Sequence, residues 1–264
     1  MTDTKTKRMR LAFILSAAYL VLFLSYYIAF LIYETDSPAV AYVIYALELS
    51  LRFITPVVVA AYLLPYTSKI GFYRAIMHAL PLALPSLIYN IPYYYLYVSA
   101  YGNDWADALI IAIPVCLLEM LLFVLLVALF LFVARLFALA PLKKAITSAL
   151  PPVKRETLTR AEEEKIKDTA NLALGETLAK RGVFDLSIPY VKGIFAAAFV
   201  QFIIYIILEV YEIIRHLAAY GSFRTDELTY VIVKLIGIFT VLFITHAVSY
   251  LLVRWLHGEN YEKN

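Results

Sequence analysis

Residues Ala41–Tyr62 read AYVIYALELSLRFITPVVVAAY, a run apolar enough to cross a bilayer that still carries Glu48 and Arg52 near its middle. Four positions apart on a helix, these side chains share a face, and Glu stands on the favoured N-terminal side of the pair. Tyr45 and Thr55 fall on the same face, which makes one polar stripe of Tyr45, Glu48, Arg52 and Thr55. A charge at mid-bilayer costs roughly 2.5–3.5 kcal/mol on insertion scales, so the stripe is expected to look into a helix bundle and away from lipid. The stretch therefore implies an all-α integral membrane protein organised around a polar interior.

The remainder of the chain fits that class. Of its 264 residues 63% are hydrophobic and 16% charged, and the apolar residues come in long blocks, a balance foreign to a soluble domain. Six stretches approach the roughly 20 residues that a helix needs to span the hydrocarbon. They are Leu11–Tyr33, Ala39–Leu64, Phe72–Val98, Ala108–Phe137, Val191–Ile214 and Leu228–Leu256. The first follows MTDTKTKRMR and superficially resembles a secretion signal. Its apolar run of about 23 residues exceeds a signal core of roughly 7–15, so it reads as an uncleaved span.

Lysine and arginine in the connections set the orientation. Lys5, Lys7, Arg8 and Arg10 precede span one, Lys69 and Arg74 lie in the connection to span three and at its start, and Lys143 and Lys144 follow span four. Of the intervening loops, Glu34–Ser37 and Gly102–Asp104 carry no basic residue, while the last is mixed, with Arg215 and Arg224 against Asp226 and Glu227; the alternation places both termini in the cytoplasm of a multi-pass protein of the cell membrane. The chain divides into a four-span half (1–140), a cytoplasmic loop (141–190) and a hairpin with a short tail (191–264). In the loop, Thr159-Arg160-Ala161-Glu162 has the form of a capping box that opens an amphipathic helix over Arg160–Arg181, with Gly182 as its stop. That helix either packs on the ends of the spans or docks a protein partner.

Span three holds Pro81, Pro85 and Pro92 together with His78 and Asn90, and is expected to be kinked or broken. Broken helices in transporters often mark the substrate site. Span four has one central charge, Glu119, with no basic residue within a turn; Arg52 is the first choice of partner. Span five carries Gln201, Tyr205, Glu209, Glu212 and His216 on one face. Span six offers Lys234 opposite Glu209, then Thr245, His246 and Ser249. Ten tyrosines, Tyr93, Tyr94 and Tyr95 among them, fall near the outer interface and read as an aromatic belt.

The candidate path residues are thus Glu48, Arg52, Asn90, Glu119, Gln201, Glu209, Lys234 and His246. Intramembrane ionisable groups on several helices favour a permease- or channel-like protein that moves a small solute, ion or proton. The same groups also serve as glue between helices, which suits a scaffold, accessory subunit or assembly factor. An enzyme is the weakest reading. There is no HExxH pair, no GxSxG elbow and no nucleotide-binding motif. The lone Cys116 and the scattered histidines imply no metal or other cofactor, and the partners implied are the bilayer and the helix-docking protein, with no nucleic acid.

Overall fold

Proline decides the shape of the third span. Pro81 and Pro85 lack the N–H groups that the carbonyls of Met77 and Pro81 would use in a continuous α-helix. The chain accordingly breaks at His78–Ala79, whose N–H groups fall back on Ala75 and Ile76 in tighter turns, and narrows to a 3₁₀ turn over Leu84–Ser86. The broken helix expected from the sequence is present. Pro92 lies inside the last piece without ending it.

The computed structural model of the protein describes residues 2–32, 54–67, 71–99, 105–149, 159–177, 182–221 and 225–258. All regular structure among them is helical. In chain order the elements are α1 (Thr2–Ile32), α2 (Ile54–Tyr66), the three pieces α3 (Phe72–Met77), α4 (Leu80–Ala83) and α5 (Leu87–Ser99), then α6 (Trp105–Ser148), α7 (Arg160–Thr177), α8 (Pro189–Tyr220) and α9 (Thr225–Gly258). Five segments are long and apolar enough to cross a membrane: Thr6–Ser25, Phe72–Leu96, Leu109–Ser148, Pro189–Ala219 and Phe239–Leu256. Of the expected second span only the shorter apolar helix α2 is described; Glu48 and Arg52 lie outside the described residues.

The helix around Glu119 outruns its expected end at Phe137. It continues to Ser148 because residues 138–148, ALAPLKKAITS, are mostly strong helix formers, and a single Pro141 does not outweigh them. Helix α8 begins with Pro189 at its first position, where the missing N–H is no loss. It ends at Gly221, whose left-handed φ of 75° lets its N–H close on the Leu217 carbonyl at 2.8 Å.

The core runs along α6 and α8. Val127, Phe130, Leu131, Ala134 and Ala138 of α6 are buried with Val191, Ile194, Ala197 and Ala198 of α8. Small residues set the closeness of that pair, as bundles in lipid require. A Cβ placed on Gly193 would stand 2.5 Å from the Ala134 carbonyl oxygen and 2.9 Å from the Ala138 methyl. The expected capping box forms: Thr159 N and Oγ1 both donate to Glu162 Oε2, at 3.0 and 2.9 Å. Helix α7 packs on α6, with Ala170 and Leu174 buried in the main core.

A tyrosine ties α2 to α8. The Ala61 carbonyl would normally accept from the N–H four residues on, but that residue is Pro65. The buried Tyr190 hydroxyl donates to it instead, at 2.7 Å. On the other side of α2, buried Thr55 Oγ1 and Tyr19 OH of α1 are hydrogen-bonded at 3.0 Å. The one described member of the Tyr45–Thr55 stripe that the sequence placed toward the interior is therefore inside the bundle.

Candidate functional site

Glu119 sits in the first half of α6, half-buried, and its Oε1 accepts a 2.6 Å hydrogen bond from Tyr94 OH of α5. Tyr94, which the sequence assigns to an outer belt, thus points at a carboxylate inside the bundle. The signal that identifies it is spacing. Tyr94 lies four residues after the buried Asn90, on the same face of α5. Arg52, the partner expected for Glu119, is outside the described residues.

Asn90 Oδ1, Gln201 Oε1, Thr245 Oγ1, His246 Nδ1 and Ser249 Oγ are buried and have no hydrogen-bond partner among the described residues. Each residue is at most 5% exposed. An acceptor or hydroxyl left unsatisfied in this way costs about 1–3 kcal/mol, and a bound water or polar solute removes that cost.

The helices are antiparallel neighbours, so their contacts give the relative depth of these groups. Tyr94 meets Glu119, Gly193 meets Ala134 and Ala138, Phe195 meets His246 and Phe202 meets Phe239. Carrying those registers along places Asn90 level with Phe123 of α6, Gln201 with residues 126–130, Thr245 with 131–135 and Ser249 with 135–139. Starting from Glu119, the polar groups descend α6 in steps of about one helical turn, roughly 5–8 Å each. They descend toward the end of the bundle where Arg8 of α1 meets His78 at 3.0 Å.

Glu209 of α8 is half-buried and falls level with residues 118–122 of α6 by the same register, beside the depth of Glu119. Lys234 lies on α9, but its side chain, the expected partner of Glu209, is outside the described residues, like those of Glu212 and His216. His246 is wholly buried, and its Nε2 lies 2.6 Å from the Val183 carbonyl, so that nitrogen carries the proton and donates. The structure therefore brings Asn90 into the neighbourhood of Glu119 and strings Gln201 and the polar face of α9 below them.

Comparison of the chain with protein-family models, with curated proteins and with solved structures found no match, so the residues themselves carry the functional argument.

Proposed function

We propose that the chain is a permease- or channel-like membrane protein that moves a small polar solute, ion or proton through the interior lined by Glu119, Asn90, Gln201, Thr245 and Ser249. One observation carries this reading. The buried polar atoms of Asn90, Gln201, Thr245 and Ser249, without a partner among the described residues, fall in steps of about one turn below the Glu119 carboxylate. Packing glue satisfies itself; groups that await a partner suit a hydrated path. In this reading Glu119 exchanges a proton or cation, Tyr94 holds the carboxylate in place, and Arg52 and Glu48 lie on the same route. The broken span α3–α5, which supplies Asn90 and Tyr94, is the element that moves. Both termini lie in the cytoplasm, the membrane is the cell membrane, and the face of α7 turned away from α6 is the one that would meet a protein partner.

The Gly193–Ala134 approach and the Tyr190–Ala61 hydrogen bond favour a second reading, a rigid scaffold or accessory subunit whose polar groups only fix the helices in register.

Single cysteines separate the two. They are placed at 90, 119, 201, 245 and 249 in a Cys116→Ala background, since Cys116 is itself buried. Intact membranes are then treated with a charged, membrane-impermeant thiol reagent. Reaction along the series, slowing with depth, supports the path. Full protection at all five positions in folded protein overturns it in favour of the scaffold.

A further inference from the structure

Helix α8 presents Phe195, Phe199 and Phe202, and α9 presents Phe239, Phe243 and His246, each set at spacings of four and three and thus on one helical face. The antiparallel hairpin brings these faces together, with Phe202 5.2 Å from Phe239 and Phe195 5.4 Å from His246 between ring centroids. Phe199 lies 6.4 Å from Phe195 and 5.9 Å from Phe202, and Phe239 lies 5.6 Å from Phe243. Phe184, on the turn before α8, closes the circuit at 6.2 Å from Phe243 and 5.3 Å from His246. Seven aromatic rings form a closed loop, six of them phenylalanine.

The imidazole gives this loop a polar point. Nε2–H is committed to the Val183 carbonyl at 2.6 Å, so a neutral ring offers Nδ1 as a lone-pair acceptor, and Nδ1 has no partner among the described residues. A buried acceptor without a donor is costly, so this nitrogen is set for a ligand that brings one. Phe184, Phe199, Phe239 and Phe243 are 42–56% exposed, on the surface that a bilayer would cover. His246 is level with the start of α8, one turn from exposed Lys192, while Phe202 and Phe239 lie seven residues, roughly 10 Å, further along toward the other end. A ligand here carries its hydrogen-bond donor near the membrane surface and its apolar body toward the middle.

We propose that the aromatic loop around His246 is a binding site for a membrane-soluble quinol, whose hydroxyl donates to His246 Nδ1 and whose ring packs among the phenylalanines. A planar aromatic body matches rings that stack and meet edge-to-face. Phe184 is the ring that yields to admit it, because it alone sits on a turn and not on a helix, and it is the most exposed of the six. The donor requirement makes the site selective for redox state. A quinone has only acceptor oxygens, and Nδ1 has no hydrogen to give it.

The test compares a decyl-substituted benzoquinol with its benzoquinone. The purified protein in phosphatidylcholine nanodiscs is titrated calorimetrically with each under anaerobic conditions, with empty nanodiscs subtracted. Saturable binding is expected, about tenfold tighter for the quinol, which corresponds to about 1.4 kcal/mol. His246→Phe should bring the two affinities to parity, and Phe239→Leu should weaken both forms while keeping the preference. If His246→Phe does not fold, the oxidised-to-reduced comparison on the unaltered protein decides, with Phe239→Leu as the site control. Absence of saturable binding, equal affinity for the two forms, or a preference unchanged in His246→Phe overturns the proposal.

Discussion

Gly193 and Ala134 lie so close that a methyl group on the glycine would stand 2.5 Å from the alanine's carbonyl oxygen. Two effects oppose each other in Gly193→Ala. Helix propensity gains about 1 kcal/mol. Overpacking against backbone, which cannot swing aside as a side chain can, costs about 1–3 kcal/mol, so the clash wins. The variant should melt several degrees lower in detergent, and Gly193→Leu should not assemble. Gly237→Ala provides the contrast. A Cβ at Gly237 of α9 meets nothing within 4 Å, so the propensity gain should stand alone and the melting temperature should rise.

Tyr94→Phe removes the donor to Glu119 and nothing else of its volume. The expected loss of stability is about 1–3 kcal/mol, read as a lower melting temperature. Glu119→Gln keeps the shape and an acceptor oxygen for Tyr94, so stability should change little. Proton flux into liposomes reconstituted with the protein, followed with an entrapped pH dye, should be abolished by Glu119→Gln and reduced by Tyr94→Phe. Flux unchanged by Glu119→Gln would remove this carboxylate from the mechanism.

The Tyr190–Ala61 bond exists because Pro65 cannot supply the helical N–H, which makes its energetics separable. Tyr190→Phe leaves a buried carbonyl unsatisfied and should cost about 1–3 kcal/mol. In a Pro65→Ala background the Ala61 carbonyl regains an N–H partner, and the cost of Tyr190→Phe should fall to about 1 kcal/mol or less. Equal costs in both backgrounds, measured by denaturant titration, would show that the hydroxyl does not stand in for the missing amide.

Thr159→Ala strips the cap from α7, a loss of about 1 kcal/mol that is confined to the helix end. Amide hydrogen exchange at residues 160–163 should speed up about fivefold, with the melting temperature of the whole protein unchanged.

What the sequence could show depended on distance along the chain. The capping box at Thr159–Glu162, the break after Met77 and the inward face of Thr55 each follow from residues within a turn or two of one another. Glu119 stood out because a mid-span charge has only a few physical resolutions. Its described partner did not stand out. Tyr94 sits in the run Tyr93–Tyr95, and a tyrosine run near a membrane surface has a ready explanation in the headgroups. The substitution of Tyr190 for the Pro65 amide joins residues 129 positions apart, and only the packing of α2 on α8 reveals it. Likewise, the stripes Phe195–Phe202 and Phe239–His246 have the same spacing, but only the hairpin register makes one circuit of them.

Helix α6 has a mechanical consequence. Its 44 residues make a rod of about 66 Å, against a hydrocarbon slab of about 30 Å. The same rod carries Glu119 in its first half and packs against α7. A load applied to α7 therefore acts on a long lever arm. A few degrees of tilt at the Gly193–Ala134 fulcrum displaces Glu119 against Tyr94 by an ångström or so, enough to stretch a 2.6 Å hydrogen bond beyond its working range. The length of one helix thus gives α7 mechanical leverage over the Glu119 carboxylate.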